Sequence, residues 1–413
     1  MRSRFLGNIG YDQLREGAVT GMAIINRIGE FHAEMKAWRR DIHRHPETAF
    51  EEQRTSEIVA GKLSEWGIDV HRGLAGTGVV GILSGRSDSG RLIGLRADMD
   101  ALHIQELNDF EHRSTHAGKM HACGHDGHTT MLLGAAKYLS ETRNFDGKVA
   151  FIFQPAEENE GGANVMMQEG LFERFPVEAV YGLHNWPKLP VGEIALRAGP
   201  AMASFDIFEI TVTGVGAHGA MPHHGIDPIV VGSQIVGALQ TIASRRTNPI
   251  DSVVVSVTQF HAGDTWNVIP QEAVIRGTTR CFRHDVQEQI ENDIRRIAEG
   301  ICGSQGAKMK MHYERRYPAL VNSSDESKIA AAAAAKVVGT ESIDTDADPI
   351  MGSEDFAFML GAKPGCYILL GNGSQGEAGG VPVHNPHYDF NDEASVVGAS
   401  YWATLVEHTL PIG

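Results

Sequence analysis

Four runs in the first half of the chain are continuously apolar: Val79–Gly85 (VVGILSG), Leu92–Arg96 (LIGLR), Val149–Gln154 (VAFIFQ) and Ala179–Leu183 (AVYGL). Each is followed by a polar loop. Uninterrupted Val/Ile/Leu/Phe runs suit buried strands covered on both faces, as in a parallel sheet. Segments with helical spacing alternate with them, at Glu51–Trp66 and at Thr129–Ser140, where Met131, Leu132, Ala135 and Leu139 share a side. The alternation predicts an α/β domain with a mostly parallel sheet.

From about Pro200 the period drops to two. Phe205–Thr213 (FDIFEITVT) alternates like a strand with one exposed face. A helix is predicted at Ile229–Arg245, strands at Ser252–Phe260 and Ala273–Cys281, a helix at Val286–Cys302 and a strand at Lys308–Tyr313. The order βαββαβ predicts a small ferredoxin-like sandwich inserted into the first domain. An Ala-rich helix at Lys328–Val338 and a buried strand at Cys366–Gly371 then return the chain to the α/β domain. The expected division is a catalytic, metal-binding domain of residues 22–199 and 315–413 and an insert of residues 200–314. Residues 1–21 carry neither period and are expected to form a disordered or misassigned extension, with Met22 as an alternative start ahead of the amphipathic stretch to Arg40.

A length of 413 residues also favours two domains. No stretch approaches the ~20 apolar residues that span a bilayer, and the N-terminus has no apolar core of a secretory signal. The net charge of -16, from 36 basic and 52 acidic residues, argues against nucleic acid or an anionic membrane as partner. A carboxylate substrate stays possible, because one local arginine can hold it. The four cysteines, Cys123, Cys281, Cys302 and Cys366, are widely spaced without a CxxC pair, which suits a reducing cytoplasm better than a disulfide framework.

The placement of histidines and acids changes the picture most. Asp98 and Asp100 follow the run Leu92–Arg96, Glu157 and Glu158 follow Val149–Gln154, His184 follows Ala179–Leu183, and His384 lies beyond Cys366–Gly371. Loops at the carboxyl ends of parallel strands line one crevice, so these scattered positions are expected to converge. In His121-Ala-Cys-Gly-His-Asp-Gly-His128, Cys123 and His125 can reach one metal centre from a turning backbone; the alternative is a buried small thiol among loop histidines. The adjacent Glu157 and Glu158 are costly to bury unless a cation neutralises one, which suggests one ligand and one free carboxylate that moves a proton. A solvated acidic turn is the alternative, but it leaves the apolar strand before the pair and Gly161-Gly162 after it unexplained.

The strings WRRDIHRHPE, RADMDAL, MHACGHDGH, FQPAEENEGGA, GLHN, HGAMPHHGIDP, NVIP, MGSEDF and VPVHNPHYDF, in this order from about Met22 onward, resemble the aminoacylase/carboxypeptidase metallopeptidase superfamily. The match is closest to its hippurate hydrolase and indoleacetyl-amino-acid hydrolase branch, which carries Cys-x-His where other branches have His-x-Asp. The resemblance implies two divalent metal ions per subunit, zinc or manganese, with nickel or cobalt as alternatives. It implies Cys123, His125, Glu158, His184 and His384 as ligands, Glu157 as catalytic base, and Asp98 and Asp100 as supports behind the ligands. It also implies that His218 stabilises an oxyanion, often in the partner subunit's site, and that Asn267 and Arg280 hold substrate. On the residues alone, Arg280 could equally be a surface ion-pair residue.

The implied reaction is hydrolysis of N-acyl-amino acids to a carboxylic acid and a free amino acid. A metallo-dipeptidase or carboxypeptidase, or an inactive ligand-binding homologue, is the alternative. The implied insert is a lid and dimerisation element in a homodimer or homotetramer. His43 and His45 are expected to cap and turn the chain, Asp227-Pro228 to start a helix, Ser353 to cap another, and Cys281, Cys302 and Cys366 to be inert core thiols.

Overall fold

The computed structural model describes residues 22–413, so the reading of residues 1–21 lies outside the described residues. Strand Ser87–Asp98 runs parallel to Asp146–Gln154 on one side and to Ala179–Pro187 on the other, and Gly365–Gly373 continues the parallel array. These four strands form the centre of an eight-stranded sheet. Their apolar runs are continuous because both faces are covered. Phe151 and Phe153 pack into one cluster with Leu95, Leu133 and Trp402, while the intervening Ala150 and Ile152 pack into another with Val180, Met166 and Phe356. Helices His32–Arg44, His125–Thr142 and Asp392–Thr409 cover the first face, and Gly162–Gln168 with Ala357–Ala362 covers the second.

The edges are less regular. Gly78–Ser84 runs antiparallel to Asp146–Gln154 and is joined by a tight connection to the antiparallel Asp69–Leu74. The expectation of a parallel strand here was wrong in direction. An unbroken apolar run reports two-sided burial, and Gly78–Ser84 is buried between its neighbours without being part of a crossover. Helix Asp392–Thr409 left no clear period in the sequence because it is buried on most sides, whereas an amphipathic period marks a helix with one wet face.

Residues 205–317 carry the predicted βαββαβ order. Strands Val253–His261, Glu272–Cys281, Phe205–Thr213 and Lys308–Tyr317 lie side by side in that order, all antiparallel. Helices Pro228–Thr241 and His284–Gln305 pack on one face around a separate apolar cluster that includes Phe208, Ile210, Ile235, Ile275 and Ile290. Asp227 caps the first of these helices, accepting from the Ile229 N–H at 2.9 Å, with Pro228 opening it.

Register sets up the site. Leu95 lies opposite both Phe151 and Tyr181, and Arg96 opposite both Ile152 and Gly182. The carboxyl ends of the three strands are therefore level, and Asp98, the Gln154–Glu158 turn and His184 open onto one rim.

Candidate metal centre

Helix His125–Thr142 begins at this rim. Gly124 before it has φ 96°, and a Cβ there would come within 2.1 Å of Asn185 Oδ1, so only glycine fits. The turn places Cys123 and His125 on the same side. His125 Nδ1 donates to the Asp100 carbonyl at 2.9 Å and lies 3.1 Å from Asp100 Oδ1. That leaves His125 Nε2 buried and without a hydrogen-bond partner. His184 Nδ1 donates to the Asn185 carbonyl at 2.6 Å, so its Nε2 faces Cys123 Sγ at 3.3 Å. Fixing Nδ1 in this way selects the tautomer whose Nε2 lone pair can bind a cation.

Donor atoms of Cys123, His125 and His184 lie within 4.8 Å of one another, and so do those of Cys123, Glu158 and His384. The two groups share Cys123. One is buried and the other opens to a cavity. His384 adopts a left-handed φ of 63°, held by its N–H donating to the Ala122 carbonyl at 2.7 Å, and its Nε2 is 2.9 Å from Glu158 Oε1. All five residues implied as ligands thus meet in one place. One thiol, three imidazoles and a carboxylate make a donor set suited to a divalent transition metal, and His125 Nε2, buried without a hydrogen-bond partner, fits such a group. Burial, and next Glu158, push the Cys123 thiol up, so a cation is the charge that would hold its thiolate. Burial and then His128 keep His184 well below the ordinary imidazole range, and hence neutral, as a ligand must be.

The two acids behind the rim differ. Asp100 touches two of the five: besides His125, its Oδ2 accepts the Glu158 N–H at 3.0 Å. Asp98 instead binds His128 Nδ1 at 2.6 Å and Arg96 at 2.5 Å. His128 has its other nitrogen on Asn185, 2.7 Å from Oδ1, and is not free to ligate. Arg96, fully buried, also reaches Glu354 at 2.9 Å and Asp355 at 3.0 Å. Ser353 is no helix cap, because helix Ala357–Ala362 starts beyond it with Phe356 at the cap position; it lines the cavity.

His43 is also not a cap. It is buried between Asp126, at 2.9 Å, and Glu106, at 3.3 Å. Burial lowers its proton affinity, but those two carboxylates outweigh it and push the imidazole up to about 9. A raised pKa stabilises the fold below the unfolded value near 6.5 and loses that contribution as pH rises through the folded value. We therefore expect wild type to lose roughly 3 kcal/mol between pH 6 and pH 10 that His43→Gln does not lose, measured by urea melts across that range.

Glu157 is 7% exposed and lies within 4.8 Å of His125 and Glu158 on one side and of Glu354 and Asp355 on the other. Burial, then Glu354, Glu158 and Asp355, hold its proton affinity well above the usual carboxylate range. It lines a cavity of about 360 Å³ together with Cys123, Glu158, His184 and His384. Arg280 lines the same cavity, half-buried, with its guanidinium 4.2 Å from the Phe205 ring and no carboxylate partner among the described residues. His218 and Asn267 are elsewhere. In the short ladder of Ala217–His218 with Val268–Ile269, His218 pairs with Val268, and the Asn267 carbonyl accepts the Gly219 N–H at 2.7 Å; both residues are exposed and neither lines the cavity. Within one chain the structure does not bring them to the other site residues.

The sequence reading missed the apolar lining: Trp186, Met202, Phe205, Tyr317 and Leu369. For Trp186 a signal existed, since it stands two residues after His184 on one strand and so shares its face. Tyr317 ends a strand of the smaller sheet and carried no such signal.

The model of peptidase family M20/M25/M40 matches residues 94–408. A hippurate hydrolase of Campylobacter jejuni is 39% identical over 384 residues, covering 93% of this chain and 98% of that protein. An N-acetylcysteine deacetylase of Bacillus subtilis is 38% identical, covering 91% and 96%. The solved structure of the YXEP protein of Bacillus subtilis, described as a dinuclear metal binding peptidase, superposes with a TM-score of 0.80 at 36% identity, covering 92% of this chain and 99% of that one. With the family model spanning most of the chain and a donor cluster suited to a divalent metal at the strand ends, this protein belongs to peptidase family M20/M25/M40.

Proposed function

We infer that the protein is a metal-dependent amidohydrolase that cleaves the linear amide of N-acyl-amino acids to a carboxylic acid and a free amino acid. The observation that carries this reading is the arrangement of the cavity. A buried carboxylate, Glu157, stands beside a cluster of metal donors in a cavity also lined by Arg280, which has no carboxylate partner among the described residues. The hippurate hydrolase and N-acetylcysteine deacetylase among the relatives support acyl-amino acids as the substrate class.

Cys123, His125, Glu158, His184 and His384 would hold two divalent ions. Thiolate and imidazole favour zinc on softness, with manganese, nickel or cobalt set by supply. When bound, such ions supply Lewis acidity to a carbonyl and bring a water toward neutral pKa. The chain's own residues do the rest. Glu157, high in proton affinity and within reach of the donors, takes a proton from water and passes it to the leaving amine. Arg280 binds the amino-acid carboxylate through its fork of N–H donors. Trp186, Phe205 and Tyr317 pack the acyl group and exclude water.

His218 as an oxyanion donor and Asn267 as a substrate contact require a second copy of the chain, since one copy keeps them away from the cavity. We accordingly propose that residues 200–314 act as lid and dimerisation element in a homodimer or homotetramer. All four cysteines are free, which supports a reducing compartment such as the cytoplasm, and no helix of the described residues is long and apolar enough to cross a membrane.

Arg280→Met should raise KM about ten- to a hundredfold, the equivalent of one charged hydrogen-bonding pair, with kcat changed little. Steady-state kinetics on N-benzoylglycine check this. The substrate class itself is tested by comparing N-benzoylglycine and N-acetyl amino acids with unblocked dipeptides. Preference for the acylated substrates supports the reading, and preference for a free α-amine moves the protein to the dipeptidase alternative.

A further inference from the structure

Glu52 is a buried carboxylate for which the proposed chemistry has no use. It is 0% exposed, it pairs with no lysine or arginine among the described residues, and burial pushes it up to about 7. Such a group is costly to keep unless its hydrogen bonds accomplish something. Its position would suit a helix cap, since Glu52 stands at the N-cap of helix Gln53–Glu65, yet its side chain makes no cap bond. Glu47 does that work, accepting from the Arg54 and Thr55 N–H groups, each at 2.9 Å. Glu52 is thereby free to turn inward.

It turns to the loop that carries Glu157 and Glu158. Glu52 Oε1 accepts the Ala156 N–H at 2.9 Å and the Phe50 N–H at 3.1 Å, and Oε2 accepts the Thr77 hydroxyl at 2.7 Å. Ala156 has φ 55°, a left-handed conformation that a residue with a Cβ adopts only when its surroundings impose it. The next residue is Glu157. Beyond it, Asp100 holds the Glu158 N–H, and Tyr317 donates to the Glu157 carbonyl at 2.6 Å. The strained residue itself is gripped at both ends, its N–H by Glu52 and its carbonyl by the Gly162 N–H at 2.8 Å, and of these two holds Glu52 is the one made by a side chain.

We propose that Glu52 is a positioning residue: by fixing Ala156 in its left-handed conformation it sets the direction in which the Glu157 carboxylate enters the cavity. Glu52 does not line the cavity, and its contribution is to the geometry of the proton transfer. The inference rests on Glu157 as the proton-carrying group.

The test is steady-state kinetics on N-benzoylglycine with metal-loaded enzyme. Glu52→Ala should lower kcat about a hundredfold, the scale of a misplaced catalytic group, while KM stays within about threefold because Arg280 is not on this loop. Glu52→Gln keeps the acceptor for Ala156 and can donate to Thr77, so kcat should stay within about threefold of wild type. Adding Ala156→Gly to Glu52→Ala removes the penalty on positive φ and should restore at least about tenfold of the lost kcat. Loss of a carboxylate that served only general packing would not have its kcat restored by freeing the backbone at Ala156 alone. If Glu52→Ala does not fold, Thr77→Val, which releases Oε2, still applies and should lower kcat with KM unchanged. Wild-type kcat in Glu52→Ala or Thr77→Val, a fall in Glu52→Gln as large as in Glu52→Ala, or no rescue by Ala156→Gly overturns the inference. Glu157→Gln is run beside them. If it keeps turnover, the functional reading has failed; if it is inactive while Glu52→Ala is intact, only this inference has.

Discussion

Glu157→Gln should lose about a thousandfold in kcat, the range of a positioned general acid–base group, while binding the same amount of metal and changing KM little. Glutamine keeps the shape of the side chain but cannot take up and return a proton. The same substitution should leave the fold as stable as wild type or more so. In the wild type, Glu157 is buried among the carboxylates of Glu354, Glu158 and Asp355, and all three raise its proton affinity. Glutamine is neutral without having to hold a proton against its normal acidity, so the substitution removes the cost of burying a carboxyl in that crowd at the expense of function, the trade expected where an active site stores unfavourable electrostatics. Kinetics together with thermal melts of the metal-free proteins measure both halves. A variant that loses activity and stability together would mark Glu157 as structural.

Cys123→Ala should remove metal and activity together. Sγ belongs to both three-residue donor groups, whereas His184 belongs to one and His384 to the other. Without it, each group is left with two of its three donors. The variant should bind less than one metal per subunit by elemental analysis, and its turnover should be indistinguishable from background. A cation present at a thousand times its Kd stabilises by about 4 kcal/mol, so the gap in melting temperature between metal-loaded and metal-free protein should largely close in the variant. The metal-free variant should match metal-free wild type, since one buried thiol adds little packing over a methyl group.

The sequence was most legible where one physical requirement acts on many residues. Val149–Gln154 and Ala179–Leu183 read as buried strands because both faces meet apolar clusters, and Phe205–Thr213 read residue for residue because only one of its faces does. The convergence of Glu158 and His184 followed from strand ends opening onto a common rim, whereas Cys123 and His125 were legible as a local cluster and His384 mainly from the resemblance. What was hidden depends on partners distant in sequence. The antiparallel course of Gly78–Ser84 leaves no trace in an apolar run. The burial of His43 against Asp126 and Glu106 is fixed only when residues 83 and 63 positions away fold over it. The inward turn of Glu52 is visible only once Glu47 is seen to cap the helix. His218 and Asn267 show the opposite limit: the resemblance implies roles for them, and a single chain leaves both on the surface.

The central claim is that hydrolysis of an N-acyl-amino acid depends on metal held at these strand ends. The most direct measurement is release of glycine from N-benzoylglycine by protein stripped with a chelator, then titrated with zinc, manganese, nickel or cobalt. We expect activity to vanish on stripping and to return in proportion to bound metal, reaching its full value near two ions per subunit. Hydrolysis that survives complete removal of metal, or its absence in fully loaded protein across all four metals, would contradict the account.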